Sequence, residues 1–287
     1  MTDQFIDCHH HLWDLDEGTY LWLEEEDPEE TEIVGDYSAI RRSYRIGDLL
    51  ADFEGSNVTK SVHVQAEYGG PDQVWETAWL QGIADKHGFP HGIIAKTDLS
   101  SDDARAELER HGEYANMRGV RNFVQGDDLL TPEFGGGLQA LVDLGFVYDL
   151  NSTWEGMEGA RRAAELFPDL QFILGHAGMP LERSKEYFDN WLAAMRSLAG
   201  APNVAVKISG LGMADHNWSV ESIRPWVVAT VEAFGVERCM LASNWPVDRL
   251  YSDYGTVIEA YREITAEWSE ADRDALFWKN AERFYRI

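Results

Sequence analysis

Short apolar runs alternate along this chain with longer stretches whose apolar positions recur at helical spacing. The runs predict strands over residues 4–9, 60–65, 92–97, 119–123, 146–151, 171–175, 204–208 and 238–242. Amphipathic stretches over 71–87, 102–113, 136–144, 154–167, 181–198 and 219–234 predict the intervening helices, and two more, 253–267 and 269–285, follow the eighth strand. Eight strand-helix alternations with near-continuous apolar strands predict an α/β fold, a parallel (β/α)8 TIM barrel. The rival, an open doubly wound sheet, would need a glycine-rich phosphate turn after the first strand, which is missing.

One connection breaks the rhythm. Residues 12–54 show no comparable alternation and leave from the end of the first strand, on the face where barrel active sites lie. The segment reads as a lid, with Tyr20-Leu21-Trp22-Leu23 as its apolar anchors. With no internal repeat and no low-complexity linker, residues 1–287 read as one barrel domain.

Composition narrows the class. The 287 residues are 44% hydrophobic and include 11 tryptophans, ample material for a core. No apolar run approaches the roughly 18 residues of a membrane span. No basic segment followed by an apolar core marks the N-terminus, so the expected compartment is the cytoplasm. Cys8 and Cys239 both fall inside apparent strands and read as small buried residues.

Fifty-one acidic residues against 24 basic ones give a formal charge of -27, which argues against nucleic acid and anionic membranes as partners. The densest acidic run, residues 24–32, reads as solvated surface, and the whole balance fits either a protein from high-salt cytoplasm or an ordinary acidic bacterial protein. The expected partner is a small-molecule substrate, with a homo-oligomer left open.

The chemistry begins at Phe5-Ile6-Asp7-Cys8-His9-His10-His11-Leu12-Trp13, a strand running into three histidines. Alternation along a strand sends His9 and His11 one way and His10 the other. Polar residues recur where the other runs finish: His63 and Gln65 on strand two, Arg118, Arg121 and Asn122 around strand four, and Asp149 and Asn151 on strand five. His176 follows strand six, Lys207 and Ser209 end strand seven, and Ser243, Asn244 and Asp248 follow strand eight. Convergence on one rim is what a barrel enzyme requires. Arginines there suit an anionic or carboxylate-bearing substrate, and Trp13, Trp154, Trp218 and Trp245 suit the flat face of a ring or sugar.

Six segments carry a resemblance to the amidohydrolase superfamily, in the amidohydrolase-2 branch that holds sugar-lactone, muconolactone and pyrone-dicarboxylate lactonases. They are Ile6 to Asp14, Val64 to Glu67, Arg118 to Arg121, Leu174 to Gly178, Val206 to Gly210 and Ala242 to Pro246. The resemblance implies a barrel hydrolase that opens a cyclic ester with water. The branch's His-x-His pair falls on His9 and His11, and its strand-six histidine on His176. His63, Gln65, Arg118, Arg121, Asp149, Lys207 and Trp13 are then the candidate substrate-binding residues.

Asn244 stands where the branch usually has an aspartate that acts as general base. An amide cannot accept a proton at neutral pH. Three readings follow: another rim group is the base, with Asp248, His176 and Asp149 as candidates in that order; a metal ionises the water; or hydrolysis has been lost and the protein only binds its ligand. His9, His11 and His176 together supply the three neutral nitrogens of an open zinc site, so at most one divalent ion, zinc first, is expected, and a metal-free site is the other option. A decarboxylase is the rival activity within the superfamily.

Overall fold

The computed structural model describes residues 4–25 and 27–287; residues 1–3 and Glu26, the latter part of the acidic run, lie outside the described residues. Eight parallel strands form one sheet in sequential order: β1 (Phe5–His10), β2 (Val58–Val64), β3 (Gly92–Ala95), β4 (Met117–Asn122), β5 (Val147–Leu150), β6 (Phe172–Leu174), β7 (Val204–Ile208) and β8 (Cys239–Leu241). The sheet closes where His10 bridges Trp245, and where the amides of His11 and Asn244 donate to Trp245 and His9 across the seam. The fold is the (β/α)8 barrel.

The first connection holds α1 (Leu21–Glu24), α2 (Pro28–Val34) and α3 (Ile46–Asp52). The outer ring is α4 (Val74–His87), α5 (Ala104–His111), α6 (Pro132–Leu144), α7 (Met157–Leu166), α8 (Lys185–Leu198), α9 (Val220–Phe234) and α10 (Tyr254–Ile264), followed by α11 (Glu270–Asp274) and α12 (Asn280–Tyr285). Helix starts carry their local signals. Thr131, Ser184 and Ser219 cap α6, α8 and α9 by accepting from backbone amides in the first turn, each worth about 1 kcal/mol. Gly88 and Gly145 end α4 and α6 in the left-handed conformation.

Alternation along the strands sorts the core into two. Ile6, Cys8, Val62, Val64, Ile94, Val147, Ile173, Ala205, Met240 and Ala242 fill the barrel interior, and Phe284 and Tyr285 of α12 close it from below. Gly119 belongs to this interior: a side chain there would meet the Val147 carbonyl at 2.3 Å. The opposite faces pack against the helices in a larger apolar layer. Both cysteines are buried and unpaired. Among the described residues no helix is long and apolar enough to cross a membrane.

Residues 12–54 are more structured than their sequence suggests. Trp13, Tyr20, Tyr37, Tyr44 and Leu49 are buried, and Trp13 and Tyr44 pair through their backbones. The segment lies across the C-terminal rim. The Trp22 indole donates to the Ala66 carbonyl beyond β2 at 3.0 Å, the Tyr251 hydroxyl beyond β8 donates to Val34, and the Trp245 indole donates to Asp52 at 2.8 Å. Of the four proposed anchors, Leu21 is 61% exposed, because the short α1 turns it outward while Tyr20 and Leu23 face in.

Candidate active site

The register between β1 and β2 slips by one residue: Asp7 pairs with Ser61, but His10 pairs with His63. Such a slip re-aims side chains at a strand end. Below it Asp7 faces outward, accepting from the backbone and hydroxyl of Ser243 at 3.0 and 2.6 Å and from the Tyr254 hydroxyl at 3.0 Å. Above it the His9 ring stands 5.0 Å from His11 and 4.4 Å from His176, centre to centre. His10 points the other way, to Ser61 at 2.9 Å.

These rings are neutral. Burial holds His9, His11 and His176 well below the usual histidine range, and the charges of Lys207 on His9 and of Arg121 on His11 and His176 add to it. His11 Nδ1 donates to the Val64 carbonyl at 2.7 Å, which leaves a lone pair on Nε2. His176 Nδ1 meets the Ser209 hydroxyl at 3.0 Å. Gly210, in the left-handed region, passes so close that an added Cβ would lie 2.7 Å from that nitrogen. Both ring nitrogens of His9 are buried without a hydrogen-bond partner.

Beneath the histidines lies a buried ion pair, Lys207 Nζ to Asp149 Oδ2 at 2.5 Å, with the Tyr285 hydroxyl donating to the same carboxylate at 3.2 Å. Beside them Arg121, buried on the inner face of β4, donates to the Gln65 carbonyl at 2.7 Å. It makes no ion pair among the described residues, and its Nε has no partner. Burial pulls its pKa below the usual arginine value, while the charges of Glu67 and Asp149 favour the ionised guanidinium.

Beyond β8, Asn244 adopts a left-handed backbone (φ +60°) fixed by its amide bond to His9. Its side-chain amide donates to Asp248 Oδ2 at 2.7 Å, and the Gly212 amide donates to Oδ1 at 3.2 Å. Burial pushes the Asp248 carboxyl up to about 7.

The structure thus gathers His9, His11, His176 and Arg121, with Asn244 and Asp248 at the adjoining β8 end. Five candidates stand elsewhere. Arg118 starts β4, at the opposite end of the barrel, and donates to the carbonyls of Ala115 and Met117. His63 follows the outward parity of β2, its ring 5.7 Å from His10 and its Nε2 on the Leu12 carbonyl. Trp13 is fully buried in the first connection, donating to the Arg42 carbonyl. Asp149 and Lys207 neutralise one another with no exposed surface, so they support the site from below. Sequence reasoning misses Asp7, which outward alternation on β1 assigns to the seam, and Lys96, which falls inside the strand predicted over 92–97 but lies just past the observed β3.

A sequence model of the amidohydrolase family matches residues 6–287. The chain belongs to that family. It is 44% identical over 294 residues to the uncharacterized protein y4mH of Sinorhizobium fredii, covering 98% of each chain. It is 29% identical over 291 residues to an L-fucono-1,5-lactonase of Burkholderia ambifaria, covering 98% of this chain and 95% of the relative. Among solved structures it is similar to an amidohydrolase from Burkholderia multivorans with bound zinc, at 26% identity and a TM-score of 0.84 over 99% of both chains.

For a metal, the donor chemistry fits: His9 offers two unpartnered ring nitrogens and His11 a free lone pair. Among the described residues, however, no three His, Cys, Asp or Glu side chains are grouped as a ready-made ion site.

Proposed function

We propose that this protein hydrolyses a lactone of a sugar acid. The observation that carries the reading is a cluster of neutral, buried imidazoles beside a buried guanidinium with no carboxylate partner. Such a site receives negative charge as it develops on a carbonyl oxygen. The similarity to L-fucono-1,5-lactonases supports the substrate class.

Water attacks the lactone carbonyl carbon, and the carbonyl electron pair moves onto oxygen, where Arg121 and an imidazole N–H stabilise it. Asp248 takes the proton of the attacking water, and Asn244, bonded to Asp248, orients that water. The tetrahedral carbon then expels the ring oxygen, which recovers the proton from Asp248, giving the open hydroxy acid. A divalent ion would be held by His9 and His11, with the His176 ring beside them, and it would polarise the carbonyl and ease ionisation of water.

The experiment pairs elemental analysis of the untagged protein with acid release from L-fucono-1,5-lactone and L-rhamnono-γ-lactone. The expected result is acid release, lost on chelation if a metal takes part. No acid release, together with carbon dioxide release from aromatic acids, would overturn the hydrolase reading in favour of a decarboxylase.

A further inference from the structure

The rim beyond β2, β3 and β4 carries a polar group outside the histidine cluster. Lys96 Nζ donates to Glu67 Oε2 at 2.7 Å, and the Gln65 side-chain amide donates to Oε1. The Glu67 backbone amide returns to Gln65 Oε1 at 2.6 Å. Arg121 bonds the Gln65 carbonyl, and Glu67 is the largest of the charges acting on that guanidinium. The next carbonyl back, Val64, holds His11. A short run of contacts therefore connects Glu67 with the histidines.

Glu67 sits at φ +59°, a conformation that non-glycine residues seldom adopt and that persists where the surroundings impose it. Here they do. The Ala66 amide donates to buried Glu76 at 3.4 Å, its carbonyl accepts from Trp22, and the Gln65 amide donates to Ile94 at 2.8 Å. The result is a fixed carboxylate with 31% of its side chain in solvent, whose charge acts on a buried arginine with an unpartnered Nε.

We infer that Glu67, steadied by Lys96 and Gln65, reads the ring hydroxyls of a neutral, polyhydroxylated lactone whose carbonyl lies at the histidines. This rests on the lactonase reading. An ionised carboxylate only accepts, and each of its oxygens keeps lone pairs after the bonds to Gln65 and Lys96. Two hydroxyl donors therefore fit it with charge-assisted bonds, whereas a ring carboxylate is repelled. A Lys-Glu pair with about a third of each side chain in solvent adds little to folding stability, so its removal separates a recognition role from a structural one.

The test measures steady-state kinetics and melting temperature of the full chain and its Glu67→Ala, Glu67→Gln and Lys96→Met variants on L-fucono-1,5-lactone. Glu67→Ala is expected to raise KM roughly 10- to 100-fold with kcat within about threefold, Glu67→Gln to raise it less, and melting to stay unchanged. For δ-valerolactone, the bare ring, KM (or the inhibition constant if it is not opened) is expected to be the same in all four proteins. Unchanged KM for the hydroxylated lactone, or equal losses on both rings together with lower melting, would overturn the inference. A parent protein inactive on every lactone would overturn the lactonase reading, and this inference with it.

Discussion

The side-chain amide of Asn244 donates to the carboxylate of Asp248 across 2.7 Å, four residues further along the chain. The residue that stands in the usual aspartate position thus holds a carboxylate rather than being one. If Asp248 takes the proton, Asp248→Asn lowers kcat roughly 10²- to 10⁴-fold. Asn244→Asp places two carboxyls in contact, so one of them is forced to keep its proton to higher pH. The expected outcome is a lower rate at neutral pH and a pH midpoint moved upward; a faster enzyme would sink the assignment.

The same carboxyl gives a pH signature in stability. Burial raises Asp248 from 3.8 to about 7, so the folded state keeps a proton that the unfolded chain has released across that window. Its contribution is therefore lost as pH climbs from about 4 to about 7. The buried histidines titrate with the opposite sign, but they cancel when Asp248→Asn is compared with the parent. The melting-temperature difference, variant minus parent, is expected to grow across this range and level off above it. A difference that stays flat from pH 4.5 to 8.5 would count against a buried, protonated Asp248.

Arg121 offers a separation of activity from stability. Arg121→Met removes a buried cation that has no carboxylate partner, so melting should hold or rise. Turnover should fall, with kcat/KM down roughly 10²- to 10³-fold if the guanidinium meets the oxyanion. Loss of both together would mark Arg121 as a structural residue.

Lys207 behaves in the reverse manner. Lys207→Met strands the Asp149 carboxylate in the barrel interior at a cost of about 3–5 kcal/mol, read by chemical denaturation. Adding Asp149→Leu should recover most of that. If the double variant is no more stable than the single, the pair is not the determinant.

Strand positions and the barrel order were legible because buried parallel strands leave continuous apolar runs between helical periods. Each of the eight drawn strands overlaps an observed one, and the largest offsets fall at ends such as Val58 and Met117, where partly polar residues pair in the sheet. The direction of His9 against His10 followed from alternation alone. The placement of Arg118 did not, because a strand's polar start and polar end look alike in sequence. His63 failed for a related reason. Its outward parity depends on Val62 and Val64 facing in, and one apolar run does not say which of its faces is inside. The three helices of the first connection were hidden because each is at most seven residues long, too short to establish a period.

The seam between β1 and β8 joins residues more than 230 positions apart, as in the bonds of Ser243 to Asp7. During synthesis, His9 emerges first yet has no fixed place until Asn244 has followed it, and α12 must then arrive to close the floor under Lys207 and Asp149. Early strands of a growing chain therefore wait with open edges, exposed to other chains and to chaperones, until the eighth strand has been made. A site assembled from the first and eighth strands is in this sense a late product, formed at the moment the barrel becomes a barrel.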